Sequence, residues 1–211
     1  MRIQDINFFY INCKKDSYKN MLIQSQWDDC CSFFDQKIHL HRIDAVHFLD
    51  YCYPYYTEYN IPNDSKIKDQ VSNIAVFKSH TNLWKHILDN KIQFSLIFED
   101  DAIIPQTFLN DLQNILNDPF VQDFNNWDIL YLGILRLLAK KIPQSQNFLK
   151  MLPNKGYNNG LHCYLLNLHS IPKLLKLITN EGASNQIDLL LRDNANKFNF
   201  FIYKDLLIKQ D

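Results

Sequence analysis

Gln93-Phe94-Ser95-Leu96-Ile97-Phe98-Glu99-Asp100-Asp101 is the stretch on which the fold turns. Its apolar run is short, aromatic and β-branched, which reads as a buried strand, and it passes without a turn residue into three acids. Side chains alternate across an extended segment, so Glu99 and Asp101 face one way and Asp100 the other. Three adjoining carboxylates repel one another unless a cation or ordered water relieves them. Hard divalent ions such as magnesium or manganese take oxygen ligands, commonly one or two carboxylates plus substrate phosphates. Taken alone, the triplet also fits a solvated acidic turn after a strand.

Outward from this strand the chain alternates. Upstream, Asn73–Asp89 carries the clearest helical period, with Ile74, Val76, Phe77, Leu83, Trp84, Ile87 and Leu88 on one half of the wheel. Ile6–Ile11 reads as a buried strand, Tyr18–Cys31 as a helix and His39–Val46 as a second strand. Asp50–Asp69, rich in tyrosine and holding Pro54 and Pro62, has no period and reads as a long loop. Downstream, Thr107–Asn117 is an amphipathic helix closed by Pro119, and Trp127–Leu132 is a strand ending at Gly133. Arg136–Gly156 reads as irregular and His162–Leu168 as a strand. Ser170 then caps a helix with Pro172 in its first turn, stopping near Gly182. Gln186–Arg192 is a further helix and Phe198–Ile208 a last strand-like segment. Strands alternating with helices predict an α/β sheet that is at least partly parallel. Such sheets bind ligands beyond the carboxyl ends of their strands, where the triplet lies.

Composition narrows the function classes. A length of 211 residues suits one domain, residues 1–211, able to bury a substantial core. A formal net charge of −1 supplies no global field for nucleic acid, so no nucleic-acid partner is expected. No apolar run approaches the roughly 18 to 20 residues of a transmembrane segment. With Met1 as the natural start and no signal peptide, a cytoplasmic location is expected. The five cysteines, Cys13, Cys30, Cys31, Cys52 and Cys163, form no CxxC pair and read as reduced thiols.

Three other places hold chemistry-bearing side chains. His80 falls inside the apolar arc of its helix, which suits a core histidine bonded to backbone; the functional alternative has Ser79 and His80 facing a ligand. His39 and His41 share a strand face near Asp44, a pattern read as structural although a metal site is conceivable. Asp188 precedes Leu189-Leu190-Leu191 and fits an acid favoured by a helix start. No phosphate-cradling glycine loop, serine elbow or zinc-protease helix occurs.

Together these segments resemble glycosyltransferase family 25, which includes lipopolysaccharide and lipooligosaccharide galactosyltransferases and collagen galactosyltransferases. The resemblance runs in order from Phe9 to Gln210. Tyr10-Ile11-Asn12 is similar to the family's opening strand, and Arg42-Ile43-Asp44-Ala45-Val46 to its RxxAV strand. Val76-Phe77-Lys78-Ser79-His80 with Leu83-Trp84 is similar to the helix CxxSH…LW. Ser95 to Ala102 closely matches the strand and EDD signature. Trp127 to Gly133 resembles WDxxYLG, Gly160 to Leu165 resembles GxHAYL, and Ile187-Asp188 stands where the family has PVD. Gln210 fits the glutamine that closes the domain.

The resemblance implies a GT-A type fold: a Rossmann-like, nucleotide-sugar-binding domain around a central, mostly parallel sheet. It implies a UDP-sugar donor, manganese (magnesium as the alternative), and inverting transfer of galactose or glucose to a hydroxyl of a glycan or glycoprotein. By the same likeness Asp101 and Glu99 are metal ligands, with Glu99 alternatively on the ribose. Asp100 is placed at the sugar or in a supporting shell, and Asp188 is the candidate base. Asn12, Ser79, His80 and Trp84 are placed on the nucleotide side, and Gly160 and His162 near diphosphate or acceptor. The sequence departs from the family at Lys14-Lys15-Asp16-Ser17-Tyr18, usually arginine-rich, at Ser72–Val76, usually glycine-rich, and at Gln186, usually proline. Those departures keep open a catalytically silent glycan-binding or scaffold module, and hydrolysis of the donor without an acceptor is a third reading.

Overall fold

The computed structural model describes residues 1–47, 65–135, 138–153, 159–181 and 186–210. It begins with strand β1 (Ile6–Asn12), helix α1 (Ser17–Phe34) and strand β2 (Leu40–Asp44). Helix α2 (Ser65–Asp89) leads into β3 (Phe94–Glu99), the short β4 (Ala102–Ile103), α3 (Phe108–Leu116) and α4 (Pro119–Gln122). Strands β5 (Ile129–Leu135), β6 (Ala139–Ile142), β7 (Ser145–Met151) and β8 (Asn159–Asn167) follow. Helices α5 (Ile171–Glu181) and α6 (Ile187–Asp193) and strands β9 (Phe200–Tyr203) and β10 (Lys209–Gln210) complete the chain.

Eight strands form one sheet in the order β2-β1-β3-β8-β5-β9-β7-β6, and β10 pairs with β4 beside it. The neighbours β2-β1, β1-β3 and β5-β9 are parallel, whereas β8 is antiparallel to both β3 and β5, and β7 to both β9 and β6. Six strands therefore run one way and only β8 and β7 oppose them, so the sheet is α/β and mostly parallel in direction.

Both faces of the sheet are covered, and residue parity decides which face each side chain joins. Phe8 and Tyr10 of β1, Leu96 and Phe98 of β3 and Cys163 and Leu165 of β8 belong to one core, with Trp27 of α1 and Phe108 of α3. Phe9 and Ile11, Ile97, and Tyr164 and Leu166 belong to the other, with Trp84 of α2 and Leu174 of α5. The continuous apolar runs of the sequence are what a sheet buried on both sides requires.

Several expectations need correction. The helix expected from Asn73 starts at Ser65, so the long loop expected over Asp50–Asp69 ends by then; residues 48–64 lie outside the described residues. Val76, expected on the apolar half, is 45% exposed. The strand expected to stop at Gly133 continues to Leu135. Arg136–Gly156, expected to be irregular, holds the antiparallel hairpin β6–β7; its polar edge, with Lys140 and Lys141, hides the usual apolar alternation. Pro119 opens α4, with Asp118 as its cap. Ser170 is no cap: its hydroxyl donates to the Asn167 and Asp128 carbonyls, at 2.6 and 3.1 Å.

Candidate functional site

The same parity that builds the cores aims the acids. Glu99 follows Ile97 onto the α2 side of the sheet, and Asp100 follows Phe98 onto the α1 side. Asn12, in step with Phe8 and Tyr10, therefore meets Asp100: its amide donates to Asp100 Oδ2 at 2.8 Å. Lys19, from the first turn of α1, places Nζ 3.3 Å from Asp100 Oδ1. Burial works against this ammonium's charge, but the Asp100 and Asp101 carboxylates outweigh it and raise its pKa. Asp16 caps α1 by accepting the Lys19 N–H at 3.0 Å, and Lys14 pairs with Asp44 at 3.3 Å.

On the other side of the sheet Glu99 meets two histidines. The β3–β8 register pairs Phe98 with Cys163, and one step further sets His162 opposite Glu99. His162 Nδ1 lies 3.4 Å from Glu99 Oε2, and His80 Nε2 lies 3.4 Å from Oε1. Burial alone would raise the Glu99 carboxyl; the histidine hydrogen bonds and charges overcome it and hold the group at about 2. These contacts are long for charge-assisted bonds, usually about 2.7–2.9 Å, so the carboxylate keeps accepting capacity toward the cleft. Behind them, Tyr164 Oη is 2.9 Å from His80 Nδ1 and accepts the Trp84 indole N–H at 3.0 Å. His80 is thus a buried histidine, but its partners are a tyrosine and a carboxylate rather than the expected backbone.

Asp101 completes the acidic group. Burial and the nearby Glu99 charge raise its pKa, against the Gln210 amide that donates to Oδ2 at 2.8 Å. Its other oxygen, Oδ1, is buried without a hydrogen-bond partner, and so is His162 Nε2. Leaving such atoms unpaired in a fold costs about 1–3 kcal/mol each, unless a ligand meets them. Glu99, Asp101 and His162 each offer a ligand atom within 4.8 Å of the others. Two carboxylates and an imidazole form a donor set that can hold a divalent cation.

The group floors a cleft of about 630 Å³. Of the residues singled out in the sequence, Ser79, His80, Glu99, Asp100, Asp101, Gly160, His162 and Asp188 line it. Asn12 and Trp84 do not; both are fully buried behind Asp100 and Tyr164. Ser79 also binds its neighbours, accepting the Val46 N–H and donating to the Ala75 carbonyl, both at 2.8 Å. Asp188, at the start of α6, accepts the Gly160 N–H on Oδ2 and the Leu189 N–H on Oδ1, both at 2.8 Å. Gly160 has φ +89°, and a Cβ there would come within 2.4 Å of the His162 ring. Only glycine therefore lets the histidine lie over the start of β8. Gln186 donates to Asn73 Oδ1 at 3.0 Å, joining α6 to α2 where the family's proline is missing.

Sequence reasoning gave no role to Lys19, Tyr164 or Gln210. A cation one turn after the Asp16 cap was a usable signal for Lys19; Tyr164 and Gln210 were marked only by their places in family-like motifs, and nothing local pointed to their partners, which are distant in sequence. His39 and His41 meet edge to face with ring centroids 4.4 Å apart, His41 beside Phe9, with no third ligand among the described residues. No helix among the described residues is long and apolar enough to cross a membrane.

This architecture matches a solved glycosyltransferase involved in the glycosylation of the major capsid of PBCV-1. The TM-score is 0.53 at 8% identity, over 97% of this chain and 91% of that one. The chain accordingly shares the fold of that protein, an α/β domain around a mostly parallel sheet. The model of glycosyltransferase family 25 (LPS biosynthesis protein) matches residues 6–191, and the chain belongs to that family. Procollagen galactosyltransferase 1 of Danio rerio is 30% identical over 103 residues, which are 49% of this chain and 17% of that protein. Inactive glycosyltransferase 25 family member 3 of Mus musculus is 27% identical over 106 residues, 48% of this chain and 17% of that one. The chain thus spans under a fifth of the length of these two relatives.

Proposed function

We propose that this domain transfers a hexose, galactose or glucose, from a UDP-sugar to a hydroxyl of a glycan or glycoprotein, with inversion at the anomeric carbon. The observation that carries the proposal is the convergence of Glu99, Asp101 and His162 on the cleft floor, with Asp101 Oδ1 and His162 Nε2 buried and unpaired. These three would hold manganese, or magnesium in its place. When bound, such an ion neutralises charge developing on a diphosphate leaving group.

The chain's own residues supply the rest. Lys19, at the cleft wall beside Asp100, adds positive charge where the departing diphosphate gains negative charge. Asp100, itself held by the Asn12 amide, keeps that lysine on the α1 side. His80, backed by Tyr164 and Trp84, keeps Glu99 in place. Asp188 is the base that takes the acceptor's proton. Its two bonds from backbone N–H groups orient the carboxylate and leave lone pairs for a substrate hydroxyl. Ser79 and the neighbouring Ser72, Asn73 and Val76 line the donor side.

A silent scaffold module is the competing reading, favoured by the departures at Lys14–Tyr18 and Ser72–Val76. Lys19 answers the first departure by bringing a cation to the triplet, and the acids themselves are all present. Incubation with a panel of UDP-sugars, with and without manganese, tests the proposal. Metal-dependent UDP release, with sugar recovered on an acceptor, supports transfer. Metal-independent or absent release, together with no manganese-dependent UDP binding, would sink it. Release without glycosylated product would mean hydrolysis.

A further inference from the structure

Gln210 reaches Asp101 by a specific route. After β9 the chain crosses the middle of β5, where the Leu207 and Ile208 N–H groups both donate to the Leu132 carbonyl, at 2.8 and 3.2 Å. The crossing needs an empty position at Gly133, because a Cβ there would lie 2.9 Å from Ile208 Cβ and 3.0 Å from its carbonyl oxygen. Ile208 is buried in the α1-side core and anchors the segment. Strand β10 then pairs antiparallel with β4, setting Gln210 opposite Ala102, one residue beyond the triplet. The outcome is a 2.8 Å bond from Gln210 Nε2 to Asp101 Oδ2, made at the cleft wall.

The two oxygens of Asp101 thus differ: Oδ2 is held by an amide, and Oδ1 is buried without a partner. Fixing one oxygen restrains rotation of the carboxylate and leaves Oδ1 as the oxygen with bonding capacity to spare. An amide does this without cancelling charge. Asp100, by contrast, faces an ammonium, and its negative charge is already matched. We propose that Gln210 is a positioning residue which, delivered by the β5 crossing at Gly133, orients Asp101 as a ligand for a divalent cation. The inference rests on the reading of Glu99, Asp101 and His162 as a cation site.

Manganese titration of the full chain without any nucleotide sugar tests it, alongside thermal melting of the metal-free protein. Gln210→Met, which keeps length and removes the donor, is expected to weaken manganese binding about 10- to 100-fold, the usual effect of losing a partner behind a metal ligand. The metal-free melting midpoint should stay close to that of the wild type. In an Asp101→Asn background the same substitution should change affinity no further. Should Gln210→Met not fold, Gln210→Ala carries the same expectation. A lowered midpoint with unchanged manganese affinity would make Gln210 merely structural and overturn the inference, as would a wild type that binds no manganese. Unchanged affinity in the variant beside metal-dependent UDP release by the wild type would reject this inference alone and leave the proposed function standing.

Discussion

Two acid–histidine clusters among the described residues, one at the carboxyl end of β3 and one just ahead of β5, are built in opposite ways. Asp128 is 2% exposed, and both its oxygens are used. Oδ2 accepts the Asn199 N–H at 2.9 Å, while Oδ1 faces Lys173 at 3.3 Å and His169 at 3.2 Å. At the triplet, Asp101 and His162 each keep a buried atom with no partner. Both clusters belong to stretches that resemble family motifs, WDxxYLG and EDD. A motif can therefore be retained for packing or for chemistry, and hydrogen-bond satisfaction separates the two. The saturated cluster ties β5 to α5 and to the segment entering β9; the unsaturated one keeps bonding capacity for a ligand.

The sharpest test of that contrast is Asp101→Ala. UDP release should fall about 10³-fold, the order lost with one stabiliser of developing charge. The melting midpoint should not drop, because a carboxylate repelled by Glu99 has been removed. A variant with a lowered melting midpoint and an unchanged rate would reverse the assignment. Asp188→Asn comes next, with turnover expected to fall about 10²-fold for loss of a general base. Manganese affinity measured in parallel should hold, and a loss there would make Asp188 a support for Gly160 instead.

The counterpart at the other cluster is Asp128→Ala. Here stability should fall by about 2 kcal/mol, mainly from the lost acceptor of the Asn199 N–H. Lys173 and His169 are too exposed to add much after solvent screening. Calorimetric melting should register the loss, with manganese binding unchanged; weakened metal binding would break the contrast. Gly160→Ala should cost about tenfold in manganese affinity by pushing the His162 ring aside. A variant that binds manganese as the wild type does would remove His162 from the ligand set.

The smallest effect lies in acid. Glu99 is held at about 2 in the folded protein against 4.5 when unperturbed. Its contribution to stability is therefore present above pH 4.5 and lost as the pH falls toward 2. Glu99→Gln should flatten acid unfolding in that window; an unchanged acid limb would mean that the histidines do not stabilise this carboxylate.

Much of the fold was legible because both faces of the sheet are buried, so strands appear as apolar runs and helices as amphipathic periods. The strand into the triplet, the opposed directions of Glu99 and Asp100, and the helix bearing Ser79 and His80 all follow from local periodicity. The β6–β7 hairpin was illegible because an edge strand with solvated lysines carries no such period. Ser170 misled because a serine before a helix has two uses, and the Asp128 carbonyl that takes its hydroxyl lies 42 residues away.

The candidate site divides along the same line. Which residues can carry charge at the end of β3, and to which side each points, is written locally, in strand alternation and side-chain chemistry. Which acids are already partnered depends on the assembled sheet. Asn12 reaches Asp100 across 88 residues, His162 reaches Glu99 across 63, and Gln210 reaches Asp101 across 109. These contacts depend on sheet order, β8 lying between β3 and β5, and on Ile208 crossing Gly133 to deliver β10 beside β4. That order follows from packing two cores at once, and no segment specifies it alone.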